Sequence, residues 1–159
     1  MTPKNVSIDL IGKHLKSVPD SILENKDITT LNLGSSKMVF YPPLSALVDS
    51  NANEISELPN DIGTLKNLKV LKVSSNRLTR LPESIIKLTC LEDLDLSINK
   101  ELDIVRELDK LKQLPKLKVL KIVDTKVRTQ DLQLIKASLK PGTRIIATIS
   151  EYMRNLEVR

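Results

Sequence analysis

The chain has 159 residues, of which 40% are hydrophobic, so it is long enough for one domain with a closed core. Its net charge of +5 comes from 25 basic and 20 acidic residues. These residues are interspersed and form no basic block of the kind that would indicate a nucleic-acid or membrane surface as partner. Aromatic residues make up only 2% of the chain, which leaves few rings for stacking on bases.

Apolar residues recur in one register from the first residues onward. The first copy of the pattern consists of Ile8, Leu10, Leu15, Val18 before Pro19, and Ile22. The second copy consists of Ile28, Leu31, Leu33, the polar Ser36, and Met38. Residues spaced by two, such as Leu31 and Leu33, point to the same face of a short strand. A proline disfavours helix at the residue before it, so each return limb is predicted to start extended.

The register breaks between Ser36 and Asn53, the corner positions of two successive copies. These corners are 17 residues apart, whereas the regular repeat has 23. We therefore expect one truncated or distorted coil, with a strand candidate from Leu44 to Asp49. Phe40 and Tyr41 lie in this stretch, where they either form an exposed docking loop or fill the gap left by missing leucines.

The next two copies match each other closely. The third reads Leu68-x-x-Leu71-x-Val73-x-x-Asn76-x-Leu78-x-x-Leu81-Pro82-x-x-Ile85-x-x-Leu88, and 23 residues later Leu91, Leu94, Leu96 and Asn99 repeat its first half. Asn76 and Asn99 stand where the chain leaves a strand. An Asn amide there can satisfy backbone groups that the turn would leave buried and unpaired, so a structural role is predicted for both.

A longer interval separates Asn99 from Thr125. Within it, apolar residues recur every third position among charges: Leu102, Val105, Leu108, Leu111 and Leu114. This spacing predicts a convex helix that ends at Pro115. A last copy follows as Leu117-x-x-Leu120-x-Ile122-x-x-Thr125-x-Val127, so residues 1–127 are predicted to hold about six coils.

The pattern stops after Val127. Thr129 is a candidate N-cap for a helix through Ile135 to Pro141, and a last strand is predicted from Arg144 to Ile149. The open end of a stacked repeat needs a terminal unit with a polar outer face. Residues 128–159 are therefore predicted to form a C-terminal cap.

The repeat from Ile8 to Val127 resembles the leucine-rich-repeat family, in its 23-residue class with a Leu-Pro-x-x-Ile-x-x-Leu second half. The resemblance implies an α/β fold: a right-handed superhelical horseshoe segment with a parallel concave sheet, here with a helix-strand C-terminal cap. Physical reasoning agrees, because no single coil can bury its own inner face. Stacking at about 4.8 Å per strand builds a sheet and a continuous leucine core together.

Residues suited to catalysis are scarce. His14 is the only histidine and Cys90 the only cysteine, and neither a glycine-rich phosphate loop nor a set of zinc ligands can be assembled. We expect no enzyme activity, no metal, no cofactor and no small-molecule substrate. An unpaired cysteine suits a reducing compartment, and neither a signal-type segment nor an apolar run of roughly 18 residues is present, so a cytoplasmic location away from membranes is predicted.

The outward-facing side of the strands carries the candidate binding site. Its residues are Lys69, Val70, Lys72, Glu92, Asp93, Asp95, Lys118, Val119, Lys121 and Val123. Charges alternate in sign between strands, and Lys72, Asp95 and Lys121 are expected to stack. This ladder is either cross-strand pairing or, beside exposed valines, a charged docking strip for a protein ligand. Phe40 and Tyr41 form a secondary candidate.

The sequence thus favours a non-catalytic protein–protein interaction module, or scaffold, that binds an unidentified protein ligand on its concave sheet. One alternative is a regulatory or sensor fragment of a larger signalling protein or enzyme, since such repeats are often appended to switch domains in the family. A nucleic-acid binder is the third reading, against which the low aromatic content argues.

Overall fold

Six parallel strands form one open sheet in chain order. The computed structural model describes residues 4–34 and 52–157. The strands are β1 (Val6–Asp9), β2 (Ile28–Asn32), β3 (Val70–Lys72), β4 (Asp93–Asp95), β5 (Val119–Lys121) and β6 (Arg144–Ile146). The helices are α1 (Asp20–Glu24), 3₁₀ helices η1 (Asn60–Thr64) and η2 (Glu83–Lys87), α2 (Ile104–Leu111), α3 (Asp131–Ser138) and α4 (Ile149–Glu157). This alternation of strands with helical return limbs is the leucine-rich-repeat solenoid that the sequence predicts.

The core is a stack of aliphatic residues that runs through every coil. The strand centres pair in one register: Ile8, Leu31, Leu71, Leu94, Leu120 and Ile145. The four inner members of this row are fully buried, while the two end members are partly exposed. Burial of a Leu side chain stabilises a fold by about 1.5–3 kcal/mol, so the repeated leucines hold the coils together.

The return limbs begin extended, as the prolines predict. Pro59 and Pro82 have ψ angles of 151° and 150°, and a five-residue 3₁₀ helix follows each of them. Successive limbs pack so closely that a Cβ atom added to Gly63 would lie 2.6 Å from the carbonyl oxygen of Ser84. Glycine at this position lets η1 approach η2.

Asn side chains form a second ladder, at the corner where each strand ends. Asn76 is buried and donates to the carbonyls of Leu33 at 2.9 Å and Val73 at 3.0 Å, and its Oδ1 accepts from the N–H of Ile55 at 2.9 Å. Asn99 repeats these bonds one coil later. The structural role predicted for both residues is confirmed.

The break in the register is an insertion within one coil. Forty positions separate Leu31 from Leu71, which is 17 more than the 23 between Leu71 and Leu94, yet β2 pairs directly with β3. Asn53 donates to the carbonyls of Leu10 at 2.8 Å and Leu33 at 3.0 Å, so it serves as the corner of the coil that contains β2. The expected strand from Leu44 to Asp49 lies outside the described residues, so it stays a prediction.

The C-terminal part departs from the prediction in two places. Helix α3 is preceded by Gln130, so Thr129 is not its N-cap. The last strand ends at Ile146, and helix α4 begins at Ile149, where the strand was predicted to end. None of the helices in the described part of the chain has the length and apolar character needed to cross a bilayer.

Helix α2 follows the prediction for the longer interval. Asp103 caps it by accepting from the N–H groups of Val105 at 3.1 Å and Arg106 at 3.3 Å. The helix ends at Leu111, before Pro115. Its buried residues face the core, as a convex limb requires.

Candidate interaction surface

Two rows of side chains cross the concave face on either side of the buried strand centres. One row aligns Thr30, Val70, Asp93, Val119 and Arg144, and the other aligns Asn32, Lys72, Asp95, Lys121 and Ile146. The expected stacking of Lys72, Asp95 and Lys121 is therefore confirmed. Val123 lies one position beyond the buried Ile122, next to the second row.

The N-terminal half of this face is accessible. Thr30, Asn32, Val70 and Lys72 are partly exposed, and Lys69 beside them is exposed. We call these five residues the open half. Four of them lie on β2 and β3 and Lys69 directly precedes β3, so that Val70 stands between two lysines in the sequence.

The C-terminal half is covered in part, contrary to the expected exposure of Asp95, Lys121 and Val123. Asp95, Lys121 and Val123 are each only 2% exposed, because helix α4 folds back over them. Val119 is partly exposed and packs at the edge of the same cluster. We call Asp95, Val119, Lys121, Val123 and Ile146 the covered half.

Helix α4 starts with a capping box. The carboxylate of Glu151 accepts from the backbone N–H groups of Ala147 at 3.1 Å and Thr148 at 3.2 Å, and the Thr148 hydroxyl accepts from the N–H of Glu151 at 3.2 Å. The hydrogen bond from Ala147 lowers the pKa of the Glu151 carboxyl. These reciprocal bonds satisfy donors that a helix N-terminus otherwise leaves unpaired, so α4 carries its own start signal.

Tyr152 anchors α4 to the sheet. Its ring is buried against Val123 and Ile146, with Ile149 packed beside them. Its hydroxyl donates a hydrogen bond to Oδ2 of Asp95. The anchor therefore combines aliphatic packing with one charge-assisted hydrogen bond.

Charged groups lie beneath this anchor. The ammonium of Lys121 is 3.4 Å from Oδ2 of Asp93 and 6.0 Å from the centre of the Tyr152 ring. Burial raises the pKa of the Asp95 carboxyl, while the Tyr152 hydrogen bond acts in the opposite direction. Burial also raises the pKa of the Tyr152 hydroxyl, so the phenol stays protonated and donates.

The flanks of β4 and β5 carry a second cross-strand pair. The ammonium of Lys118 is 2.7 Å from Oε2 of Glu92, and its hydrogen bond lowers the pKa of the Glu92 carboxyl. Together with Lys121 and Asp93, this pair shows cross-strand charge pairing at the C-terminal side of the face. The docking strip remains a proposal for the open half.

The residues considered for chemistry are not gathered into a site. His14 is exposed at a corner of the first coil, and Cys90 is partly exposed in the turn before β4. In residues 4–34 and 52–157 no three His, Cys, Asp or Glu side chains are placed to hold a metal ion. A cleft of about 330 Å³ on the return limbs is lined by charges that pair with each other, Lys110 with Glu83 at 3.2 Å and Arg80 with Glu57 at 3.9 Å.

Sequence reasoning missed α4 and therefore Tyr152. The signal was present, since Thr148 is followed three residues later by Glu151 and the helix places Ile149 and Tyr152 on one face. The secondary candidates Phe40 and Tyr41 lie outside the described residues.

Comparisons with known proteins point to one family. A family profile described as "Leucine-rich repeat region" matches residues 8–140. TMV resistance protein N of Nicotiana glutinosa is 33% identical over 95 residues, which cover 54% of this chain and 8% of that protein. The probable inactive serine/threonine-protein kinase roco10 of Dictyostelium discoideum is 31% identical over 129 residues, which cover 60% of this chain and 5% of that protein. The chain thus spans less than a tenth of the length of these relatives.

Among solved structures, a leucine-rich-repeat protein from Leptospira interrogans superposes with a TM-score of 0.42 at 22% identity. The superposition covers 87% of this chain and 48% of that one.

Proposed function

The chain belongs to the leucine-rich-repeat family, and from that premise we propose that it is a non-catalytic module that binds a protein ligand on its concave face. The observation that carries this proposal is the open half. Its backbone is fixed on both sides by neighbouring strands, so a ligand would meet a surface that is already ordered.

The composition of the open half supports a protein ligand. Val70 offers an aliphatic contact between the cationic Lys69 and Lys72, and Thr30 and Asn32 offer hydrogen bonds. Protein interfaces combine an apolar centre with a polar rim in this way. We assign Lys69, Val70 and Lys72 to the first contact with the ligand. The remaining candidates on β4 and β5 join the site where α4 leaves them accessible.

The test has two steps. The wild-type chain first captures its protein ligand from an extract of the cells that produce it, and the ligand is then titrated against two arginine variants. Val70→Arg should lower the affinity at least about tenfold, which corresponds to 1.4 kcal/mol, because it places a bulky charge at the centre of the interface. Asn60→Arg is the matched control, since Asn60 is exposed on η1, away from the sheet. Equal binding by the two variants would move the interface off the concave face.

The lengths of the curated relatives favour a second proposal, in which the chain serves as the regulatory or sensor part of a larger signalling protein or enzyme. Each match covers at most 8% of the relative. Sequencing the full transcript tests this proposal. An open reading frame that continues into a switch or enzyme domain supports it, and one that stops at this chain contradicts it.

We further propose a cytoplasmic location, which suits the unpaired Cys90. Fractionation of cells that express the tagged chain tests this: recovery with a cytoplasmic marker supports the proposal, and recovery from the secreted or membrane fraction contradicts it.

A further inference from the structure

The covered half differs from the core in carrying buried charge. Asp95 and Lys121 are nearly inaccessible, yet both belong to outward-facing strand positions that would meet solvent if α4 were absent. The leucine core lies on the other side of the sheet and does not require these residues. Helix α4 contributes to their burial through Tyr152, which contacts both of them.

Docking of α4 is therefore a balance of opposing terms. Packing of Tyr152 against Val123 and Ile146 favours it. Removing Asp95, and Lys121 with its partner Asp93, from water opposes it, since the desolvation of buried charges can match or exceed their Coulomb attraction. A contact of this kind holds the helix in place with little net gain in stability.

The construction of α4 allows it to separate from the sheet. Its N-terminus is capped by Thr148 and Glu151, which belong to its own first turn and the residue before it. Only Ala147 and Thr148 connect β6 to the helix. Its other side is exposed, with Met153 at 46%, so nothing in the described part of the chain covers it from outside.

We propose that the covered half is a binding site for an amphipathic helix of a protein partner, and that α4 is the resident helix with which that partner competes. The partner helix places a tyrosine hydroxyl on Asp95 and aliphatic side chains on Val123 and Ile146, as α4 does. This proposal rests on the proposed function and deepens it by naming the class of ligand. Aliphatic anchors spaced along one helix face are the usual way in which a helix fills a groove.

Hydrogen exchange on the wild-type chain tests whether α4 opens separately. The amides of α4 should exchange at least about tenfold faster than those of β4 and β5, because the sheet is held by the core and α4 is not. If the α4 amides exchange together with the sheet amides, the helix is an integral part of the cooperative fold and the proposal is wrong.

A labelled peptide with the sequence of residues 147–157 tests the site in trans. The full chain carrying Tyr152→Ala should bind this peptide at least about tenfold more tightly than wild type, because its own α4 no longer occupies the site. Met153→Ala is the matched control and should bind like wild type, since Met153 is exposed. A peptide with phenylalanine in place of the tyrosine should bind at least about fivefold more weakly, because it cannot donate to Asp95.

Circular dichroism melts show whether the Tyr152→Ala chain keeps its solenoid. If it unfolds, Ile149→Ala replaces it, since Ile149 is only partly buried in the same contact. Failure of the peptide to bind a folded variant overturns the helix site but leaves the open half and its Val70→Arg test untouched. Equal affinity for the tyrosine and phenylalanine peptides would also contradict the assigned contact with Asp95.

Discussion

Asn99 shows what a single side chain contributes to a coil. Its amide is fully buried, donates to the carbonyls of Leu96 at 2.8 Å and Val73 at 3.0 Å, and accepts from the N–H of Leu78 at 3.0 Å. Asn99→Ala removes the side-chain bonds to the N–H of Leu78 and the carbonyl of Leu96, while the carbonyl of Val73 keeps the bond from Asn76. We expect the free energy of unfolding to fall by about 1–3 kcal/mol, measured by urea titration.

Asn67→Ala is the matched control for that substitution. Asn67 is exposed, and its amide donates a hydrogen bond to the carbonyl of Lys26 at 2.9 Å. Its loss should change the free energy of unfolding by no more than about 0.5 kcal/mol. An Asn99 variant as stable as the Asn67 variant would show that water reaches the corner.

Asp95 makes the stability depend on pH. Burial raises the pKa of its carboxyl above 3.8, against the hydrogen bond from Tyr152 and the charge of Lys121. The folded chain then binds this proton more tightly than the unfolded chain. The stabilising contribution is present below about pH 3.8 and is lost as the pH rises through the raised value.

Asp95→Asn removes this titration. The melting temperature of the variant, relative to wild type, should therefore rise as the pH increases from about 3.8 through the raised pKa of Asp95. Carboxyls with a lowered pKa, such as Glu92 and Glu151, are present in both chains and cancel in the difference. Parallel pH profiles for the two chains would show that Asp95 is solvated.

At the scale of the elements, the close contact between η1 and η2 limits what can replace Gly63. A Cβ atom there would lie 2.6 Å from the carbonyl oxygen of Ser84 and 2.8 Å from the Ser84 Cβ. Gly63→Ala should lower the free energy of unfolding by about 1–3 kcal/mol, because the two limbs must move apart. Chemical denaturation measures this, with the exposed Asn60→Ala as control. Equal stability of the two variants would mean that the limbs adjust without strain.

The elements also show how far the sequence could predict the fold. Regular spacing of leucines around Leu71 and Leu94 predicted strands, corners and return limbs, because each position has one environment in a repeated coil. The irregular interval before Asn53 predicted one truncated or distorted coil, but spacing alone cannot show that β2 pairs directly with β3. Helix α4 was missed because one strand was predicted from Arg144 to Ile149, and this strand runs past Thr148, the first residue of the capping box.

The candidate site was predicted in part for the same reason. The repeat register correctly aligned Lys72 with Asp95 and Lys121. It could not show that Tyr152, more than 50 positions after Asp95, returns to cover two of these residues. Contacts between a terminal helix and a distant strand depend on tertiary packing and leave no periodic signal in the sequence.

In the whole molecule, the concave face divides into two parts that differ in accessibility. The open half on β2 and β3 is accessible, while the covered half on β4 to β6 is occupied by α4. We therefore propose that the concave face of the solenoid recognises the ligand and that the return limbs provide structural support.

Site-specific photocrosslinking tests this assignment most directly. A photoreactive amino acid replaces either Lys69, exposed beside β3, or Lys87, exposed at the end of η2 on the return limb. Each chain is irradiated in extracts of the cells that produce it, and adducts are identified by mass spectrometry. We expect one protein to be crosslinked at position 69 and not at position 87. Adducts at position 87 alone, or the same proteins at both positions, would contradict a ligand on the concave face.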